Sequence, residues 1–191
     1  MTSALLVMDV QRGVVERYPD SGPVLERVAV ALAAARRERV PVIFVRVAFR
    51  PGSPEVSPRN RSFAALTASG GDRFMDGNPA TQLHPSLAPR PTEPVVVKKR
   101  VSAFTGSDLE VVLRSSGIDH LVLAGIATSG VVLSTVREGA DRDYQLTVLA
   151  DACADGDPEV HRVLVEKVFP RQAEVIAVDD WVRRVTGTAD D

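Results

Sequence analysis

The sequence has little of what builds disulfides or metal sites. It contains one cysteine, Cys153, and three histidines among 191 residues, so an intrachain disulfide and a cysteine zinc site are both excluded. The formal net charge is only −2, which gives no reason to expect nucleic acid or an acidic membrane surface as a partner. No apolar run is as long as a membrane span, and the apolar start at residues 4–10 is too short for a secretion signal. We therefore expect a cytoplasmic protein that binds neither nucleic acid nor membranes.

What the sequence does contain is a regular alternation of apolar runs and helical patterns. Hydrophobic residues make up 45% of the chain, and its length fits a single domain over residues 1–191. This alternation predicts βαβ units, right-handed crossovers and a mostly parallel sheet between two helical layers. The predicted strands are 4–8, 42–47, 95–97, 121–124, 146–149 and 175–178. The predicted helices open near Pro23, Ser107, Val131, Pro158 and Asp179. Residues 186–191 are expected to form a frayed tail.

One long stretch, residues 48–93, interrupts this alternation. It is rich in proline and glycine and has a single short helical pattern near residues 63–67. A loop of this length inside a compact domain usually covers a functional site or is mobile, so we interpret it as a lid. Four arginines face only Glu55 between residues 46 and 61, which predicts a carboxylate on the substrate if the lid covers the site. The alternatives are a solvated loop or a subunit contact. The four basic residues are Arg46, Arg50, Arg59 and Arg61.

Chemistry-bearing residues stand where three of the predicted strands end. Asp9 follows the first strand, Lys98 the third, and a small-residue turn the fourth. The carboxyl ends of parallel strands share one edge of a sheet, where ligands bind. An aspartate that ends an apolar strand is partly desolvated and needs a partner, which Lys98 can supply. The structural alternatives are that Asp9 caps the turn containing Gln11 and that Lys98 is a solvated strand end, like its neighbours Lys99 and Arg100.

The turn after the fourth strand predicts an anion-binding site. Its backbone N–H groups near Ala127 and Val131 can form an oxyanion hole at a helix N-terminus. A cysteine in the first turn of that helix would have a lowered pKa, but this chain has Val131 there. Thr128 and Ser129 carry hydroxyls that we interpret as helix caps, with a hydroxyl nucleophile as the alternative. Cys153, after the fifth strand, is interpreted as a small buried residue.

Three segments together give the sequence a family resemblance. They are Asp-Val-Gln at 9–11, Lys98 followed by Ser-Ala-Phe at 102–104, and Gly-Ile-Ala-Thr at 125–128 leading to Ser-Thr at 134–135. In these segments the chain resembles the isochorismatase-like hydrolases, also called the cysteine hydrolase superfamily. The resemblance implies a three-layer α/β/α sandwich whose six-stranded parallel sheet has the order 3-2-1-4-5-6. It also implies an Asp–Lys–Cys triad, matched by Asp9 and Lys98, and a cis peptide between Ile126 and Ala127. Further pocket candidates are Gln11, Phe104, Thr128 and Ser129.

The chain departs from this family pattern at the nucleophile. The family's cysteine falls three residues after the turn threonine, and that position is Val131. Hydrolysis through a thioester is therefore not expected. Isochorismatases also lack the cysteine and cleave a vinyl ether without a covalent intermediate, which requires proton transfer and a placed water of the kind that Asp9 and Lys98 can support. The sequence predicts a hydrolase of a small molecule, or else an inactive family member that binds small molecules or has a structural role in an oligomer.

No cofactor or metal is expected. Nicotinamidases of this family carry a metal site of aspartate and histidines after strand two, and the equivalent residues 47–50 contain neither. None of the three histidines has metal-ligand spacing, and only His84, in the long loop, is expected near the site. No glycine-rich fingerprint follows strand one, and there is no phosphate-binding loop. The resemblance also implies a homodimer or higher homo-oligomer, with Trp181 and the long loop as candidate contact sites.

Overall fold

The protein is a three-layer α/β/α sandwich. The computed structural model describes residues 2–18 and 21–187. Its six strands form one parallel sheet in the order β3-β2-β1-β4-β5-β6, which confirms the predicted topology. The strands are β1 (Ser3–Met8), β2 (Val42–Val47), β3 (Val95–Lys98), β4 (His120–Ile126), β5 (Gln145–Ala154) and β6 (Glu174–Ile176). The helices are α1 (Arg12–Val15), α2 (Gly22–Arg37), α3 (Arg61–Gly70), α4 (Leu109–Ser115), α5 (Leu133–Asp141), α6 (Pro158–Val163) and α7 (Val178–Thr186).

The central strand β1 supplies side chains to both cores. Leu6 and Met8 pack into the core beneath α4 and α5, whereas Leu5 and Val7 pack into the core beneath α2 and α7. All four side chains are fully buried. A strand covered on both faces needs apolar residues at every position, which explains why it forms a continuous apolar run in the sequence. Among the described residues, no helix is long and apolar enough to cross a membrane.

Strands β4 and β5 are both longer than predicted. Gly125, expected to break the fourth strand, lies inside β4 with a φ of +147°. A Cβ atom there would stand 2.1 Å from the carbonyl oxygen of Met8, so only glycine permits β1 and β4 to approach this closely. The pairing of β4 with β5 shifts register just before Gly125, which then pairs with Cys153. Cys153 therefore lies within β5 and not after it. It is buried, and this raises the pKa of its thiol to about 12.

The long stretch after β2 is more ordered than a simple loop. Its helical segment extends over all of α3, and three 3₁₀ turns follow at residues 71–74, 79–81 and 85–87. A small separate core holds it together, in which the rings of Phe49 and Phe63 meet edge to face at 5.4 Å. We call residues 48–93 the lid. The other fully buried members of this core are Val47 and Phe74.

The C-terminal helix corrects two expectations. Trp181 is only 4% exposed and belongs to the core beneath α2 and α7, so it cannot serve as a surface contact in this chain. Thr186 is the last residue of α7, which ends at Gly187 in the left-handed conformation. The predicted frayed tail is thus helical at its first residue, and residues 188–191 lie outside the described residues.

Candidate active site

Asp9 and Lys98 form a buried ion pair at the carboxyl edge of the sheet. Lys98 is the last residue of β3, and its Nζ lies 2.9 Å from Oδ2 of Asp9, just past the end of β1. The lysine side chain spans β2 to make this contact. The Asp9 backbone has a φ of +55°, in the left-handed region that aspartate tolerates better than most residues, and its N–H donates to the carbonyl of Val45. The chain therefore turns sharply at Asp9.

The lysine ammonium has a hydrogen-bond acceptor for each of its three hydrogens. Besides Asp9, Nζ donates to the carbonyl oxygens of Arg100 at 3.0 Å and Val101 at 2.9 Å. Lys98 is only 2% exposed, so its interpretation as a solvated strand end is wrong. Its neighbours are not free surface charges either: Lys99 donates to the carbonyl of Ala48, and the Arg100 guanidinium donates to the carbonyl of Lys99. A fixed cation is well suited to orient a carboxylate.

The Asp9 carboxyl is placed for proton transfer. Burial raises its pKa above the ordinary value, while the positive charge and hydrogen bond of Lys98 act in the opposite direction. Its second oxygen, Oδ1, is buried and has no hydrogen-bond partner among the described residues. A carboxylate oxygen that is desolvated and unpaired can accept a proton from a bound water or substrate.

The turn after β4 forms the other half of the site. The Ile126–Ala127 peptide bond is cis, as the family resemblance implies. A single π-helical turn, Thr128–Val132, follows, with Gly130 outside helical geometry, and α5 begins directly after it. The carbonyl of Ala127 accepts hydrogen bonds from the N–H groups of Gly130 and Val132, which closes the turn tightly at the edge of the sheet.

The two hydroxyl-bearing residues of this turn, Thr128 and Ser129, form hydrogen bonds with residues that do not line the cavity. Oγ1 of Thr128 is 2.8 Å from Nδ1 of His161, and the threonine is fully buried. The Ser129 backbone N–H donates to Asp155 at 2.7 Å, and the residue itself is exposed. The turn and the helix after it have no side-chain cap, so the cap interpretation is wrong. Neither residue lines the cavity described next, which removes the geometric basis for a hydroxyl nucleophile.

A cavity of about 200 Å³ brings the predicted residues together. It is lined by the ion pair, the cis peptide and Val131, and by residues of the lid. Sequence reasoning missed Arg17 and Tyr18, which follow α1 and also line the cavity. The helix before them has only four residues, so no periodic pattern in the sequence marks them. The lining residues are Asp9, Val14, Arg17, Tyr18, Val47, Ser62, Phe63, Leu66, Phe74, Lys98, Val101, Ile126, Ala127, Gly130 and Val131.

Gln11 and Phe104 lie outside this cavity. The side-chain amide of Gln11 donates to the carbonyls of Val47 and Thr81 and accepts from the N–H of Val47. It therefore ties the lid to the strand edge, which is a structural task. Phe104 is buried in the core and stacks on Tyr144 at 5.7 Å.

The histidine expected near the site is elsewhere. His84 lines a separate groove with Arg12, Glu16 and Pro85, because the 3₁₀ turns of the lid carry it past the site. His161 lies nearer to the turn after β4, since its Nδ1 is 2.8 Å from Oγ1 of Thr128. Among the described residues, no group of three histidine, cysteine, aspartate or glutamate side chains is arranged to hold a metal ion.

None of the four arginines between residues 46 and 61 lines the cavity. Arg46 pairs with Asp76 at 2.8 Å, and Arg50 pairs with Glu55 at 2.7 Å, so two of the charges are neutralised within the protein. Arg59 and Arg61 are exposed. The prediction that these four arginines contact a substrate carboxylate in the cavity is therefore wrong.

A larger groove, about 370 Å³, lies at the opposite edge of the sheet. It is bounded by the amino-terminal ends of β2 and β3 and includes the Arg36–Glu93 ion pair. Its lining contains neither an unpaired buried carboxylate nor a turn at a helix N-terminus. The smaller cavity at the carboxyl edge contains both a buried carboxylate, Asp9, and the turn before α5.

Comparison with known proteins identifies the family. The Isochorismatase domain family matches residues 3–180. This chain belongs to the isochorismatase family. An isochorismatase family relative, the ureidoacrylate amidohydrolase RutB of Pseudomonas syringae pv. syringae, is 35% identical over 178 residues, which cover 86% of this chain and 69% of the relative. The family therefore includes proteins that are named as amidohydrolases.

Two solved structures of the isochorismatase family show how closely the fold agrees. An isochorismatase family protein from Burkholderia thailandensis superposes with a TM-score of 0.83 at 30% identity, covering 97% of this chain and 96% of that one. The N-carbamoylsarcosine amidase of Thermoplasma acidophilum gives a TM-score of 0.77 at 25% identity, covering 94% and 98%. The whole length of the isochorismatase fold is therefore present here.

Proposed function

We propose that this chain is an isochorismatase-like hydrolase that works without a cysteine nucleophile, using Asp9 to activate water. The observation that carries the proposal is the unpaired Oδ1 of Asp9, a residue that lines the cavity beside Lys98, whose ammonium is held by three acceptors. A buried carboxylate with one oxygen held and one oxygen free is oriented for proton transfer. Asp9 is the general base and then the general acid; Lys98 is its positioning residue.

The reaction proposed is attack of water on a carbonyl carbon that bears nitrogen. The water oxygen bonds to that carbon as Asp9 Oδ1 takes one water proton, and negative charge develops on the carbonyl oxygen. In this proposal the backbone N–H groups of Ala127 and Val131, at the turn after β4, bind this oxygen. The carbon–nitrogen bond then breaks, and the proton on Asp9 passes to the leaving nitrogen. This sequence returns the aspartate to its starting state.

The substrate class comes from the family. The relatives named above act on ureidoacrylate and N-carbamoylsarcosine, and both compounds contain a carbonyl flanked by nitrogen. The cavity of about 200 Å³ fits a molecule of that size. We therefore propose a small amide or ureido compound as the substrate.

Val131 is the observation that favours a second function, a small-molecule binding protein without turnover. It is 2% exposed and lines the cavity beside Asp9 and Lys98, and its side chain cannot form a thioester. A family member that has lost its nucleophile can retain the cavity for binding alone. Under this alternative, ligands bind without being hydrolysed.

The test is ammonia release from a panel of small ureido acids and primary amides. Asp9→Asn should lower kcat/KM by about 10²- to 10⁴-fold, whereas Asp108→Asn, on the exposed start of α4, should leave it unchanged. Cys153→Ser and Thr128→Val should both retain turnover. Loss of activity on alkylating Cys153, with a trapped covalent intermediate, would overturn the mechanism. If members of the panel bind and none of them is hydrolysed, the hydrolase proposal is overturned and the binding function is supported.

A further inference from the structure

Arg17 stands at the mouth of the catalytic cavity. It follows α1, lines the cavity and is exposed to solvent. Within residues 2–18 and 21–187 it makes no ion pair, unlike Arg46 of β2 and Arg50 of the lid. The short helix before it is held in place because its backbone N–H at Arg12 donates to the carbonyl of Gln82. Arg17 is thus an available cation at a defined place.

The charges of the cavity lining leave Arg17 uncompensated. Asp9 and Lys98 neutralise each other at 2.9 Å, and the described lining contains no further charged side chain apart from Arg17. Asp155 lies near Tyr18 and keeps its negative charge, although its carboxylate oxygens accept the N–H groups of Ser129 and Asp157. The residues that line the cavity therefore carry one net positive charge, on Arg17, and a cation at this place attracts anions.

Lys98 cannot take over this task. All three of its ammonium hydrogens are committed to Asp9 and to two backbone carbonyls, so binding an anion would cost one of these bonds. The planar guanidinium of Arg17 presents paired donors that match a carboxylate. Beside it the ring of Tyr18 packs over Gly156, where an added Cβ would be 3.7 Å from the ring.

Apart from the Ser62 hydroxyl, the lid side of the lining is apolar. Phe63, Leu66 and Phe74 form that wall, and they offer no partner for a charged group. A bound molecule therefore meets the acid–base pair at the sheet edge, an apolar wall along the lid and a cation at the rim. A small ureido acid carries its groups in the same arrangement.

We propose that Arg17 is a specificity-determining residue that binds the carboxylate of the substrate at the cavity mouth. The proposal rests on the proposed function for the position of the reacting carbonyl, since only that orientation places the anion at the rim. It replaces the lid arginines as the source of anion recognition.

The experiment uses a matched pair of probes, N-carbamoylglycine and its neutral primary amide, N-carbamoylglycinamide. Binding of both to the full chain is measured by calorimetry, for the wild type and for Arg17→Gln, Arg17→Lys and Arg12→Gln. Arg12 is the control, because it is an exposed arginine of the short helix just before Arg17, and it lines a different groove. Turnover of both probes is followed in parallel.

The wild type and Arg12→Gln should prefer the acid over the amide by roughly 10- to 100-fold, as expected of a charge-assisted hydrogen bond. Arg17→Gln should abolish this preference by weakening the acid alone, and Arg17→Lys should keep part of it. Equal affinity for both probes in the wild type, no binding of either, or a preference that survives in Arg17→Gln would overturn the assignment. Preferential binding without turnover would sink the proposed reaction and leave the role of Arg17 standing. Turnover of the acid that is unchanged in Arg17→Gln would overturn the role of Arg17 and leave the proposed reaction standing.

Discussion

Nζ of Lys98 lies 2.9 Å from Oδ2 of Asp9, although the strands that end at these residues are separated by β2. Both side chains are almost fully removed from water. Each charge therefore depends on the other for the compensation that solvent would otherwise give. This mutual dependence makes the pair a sensitive point for stability as well as for chemistry.

Replacing Lys98 with methionine should destabilise the fold by about 3–5 kcal/mol near neutral pH, because it leaves a buried carboxylate unpaired. The penalty belongs to the ionised form of Asp9, whose pKa is raised in the folded protein, so it should shrink as the pH falls through that pKa. Urea unfolding at two pH values measures both effects. The double variant Asp9→Asn/Lys98→Met is the control and should recover most of the loss. A penalty that is independent of pH would contradict this account.

The pH dependence of hydrolysis should report the same carboxyl. Burial is the main cause that raises the pKa of Asp9, and Lys98 opposes it. Since the base form is the reactive one, kcat/KM should rise with pH and reach half its plateau above the ordinary aspartate value of 3.8. Lys98→Gln removes the opposing charge and should move this midpoint to higher pH in any activity that remains. A midpoint at or below 3.8, or one that Lys98→Gln lowers, would exclude Asp9 as the titrating base.

Val131→Cys should place a reactive thiol in the cavity. The position lies in the first turn after β4 and shares the cavity with Lys98, and a cation and a helix N-terminus both lower a thiol pKa. At neutral pH iodoacetamide should label this variant at least about tenfold faster than the wild type, in which burial raises the pKa of Cys153 to about 12. Peptide mass spectrometry locates the label.

Val132→Cys is the matched control for that experiment. Val132 is the next residue in the same turn, but it is fully buried in the core and does not line the cavity. Its variant should stay as unreactive as the wild type. Similar labelling of both variants would mean that the turn, and not the cavity, determines reactivity.

Gly125→Ala should destabilise the protein by about 4 kcal/mol or prevent folding, which is at the upper end for one substitution. The added methyl group would meet the Met8 carbonyl oxygen at 2.1 Å, and the φ of +147° is strained for any other residue. Gly22→Ala is the control, because nothing lies within 4 Å of its added Cβ. Thermal unfolding compares the two, and near-equal midpoints would show that β1 and β4 can separate without loss.

The topology could be predicted because each strand is covered on both faces. Leu5 to Met8 must all be apolar for that reason, so the strand positions are legible in the sequence. The end of β5 could not be predicted, because a charged residue, Asp151, lies within the strand. Asp151 accepts a hydrogen bond from the Val178 N–H and forms an ion pair with Arg27. A charged residue with such partners resembles a strand terminus when only its chemical type is known.

The site could be predicted in its centre and not at its rim. Asp9 and Lys98 both stand at strand ends, and the sheet order brings strand ends together at one edge. Arg17 and Tyr18 lie after a helix of only four residues, too short for a periodic pattern to mark. Gln11 and Phe104 are adjacent to the site in sequence, but hydrogen bonds and core packing take their side chains elsewhere.

Phe63 and Phe74 belong at once to the small core of the lid and to the wall of the cavity. The same two rings therefore set the shape presented to a ligand and the cohesion of the segment that presents it. Any substitution that enlarges the cavity there also removes packing from the lid. Descendants of this sequence that acquire a bulkier substrate should accordingly change these rings together with compensating neighbours such as Val56 and Leu66, so that substrate range evolves in linked steps and not by single exchanges.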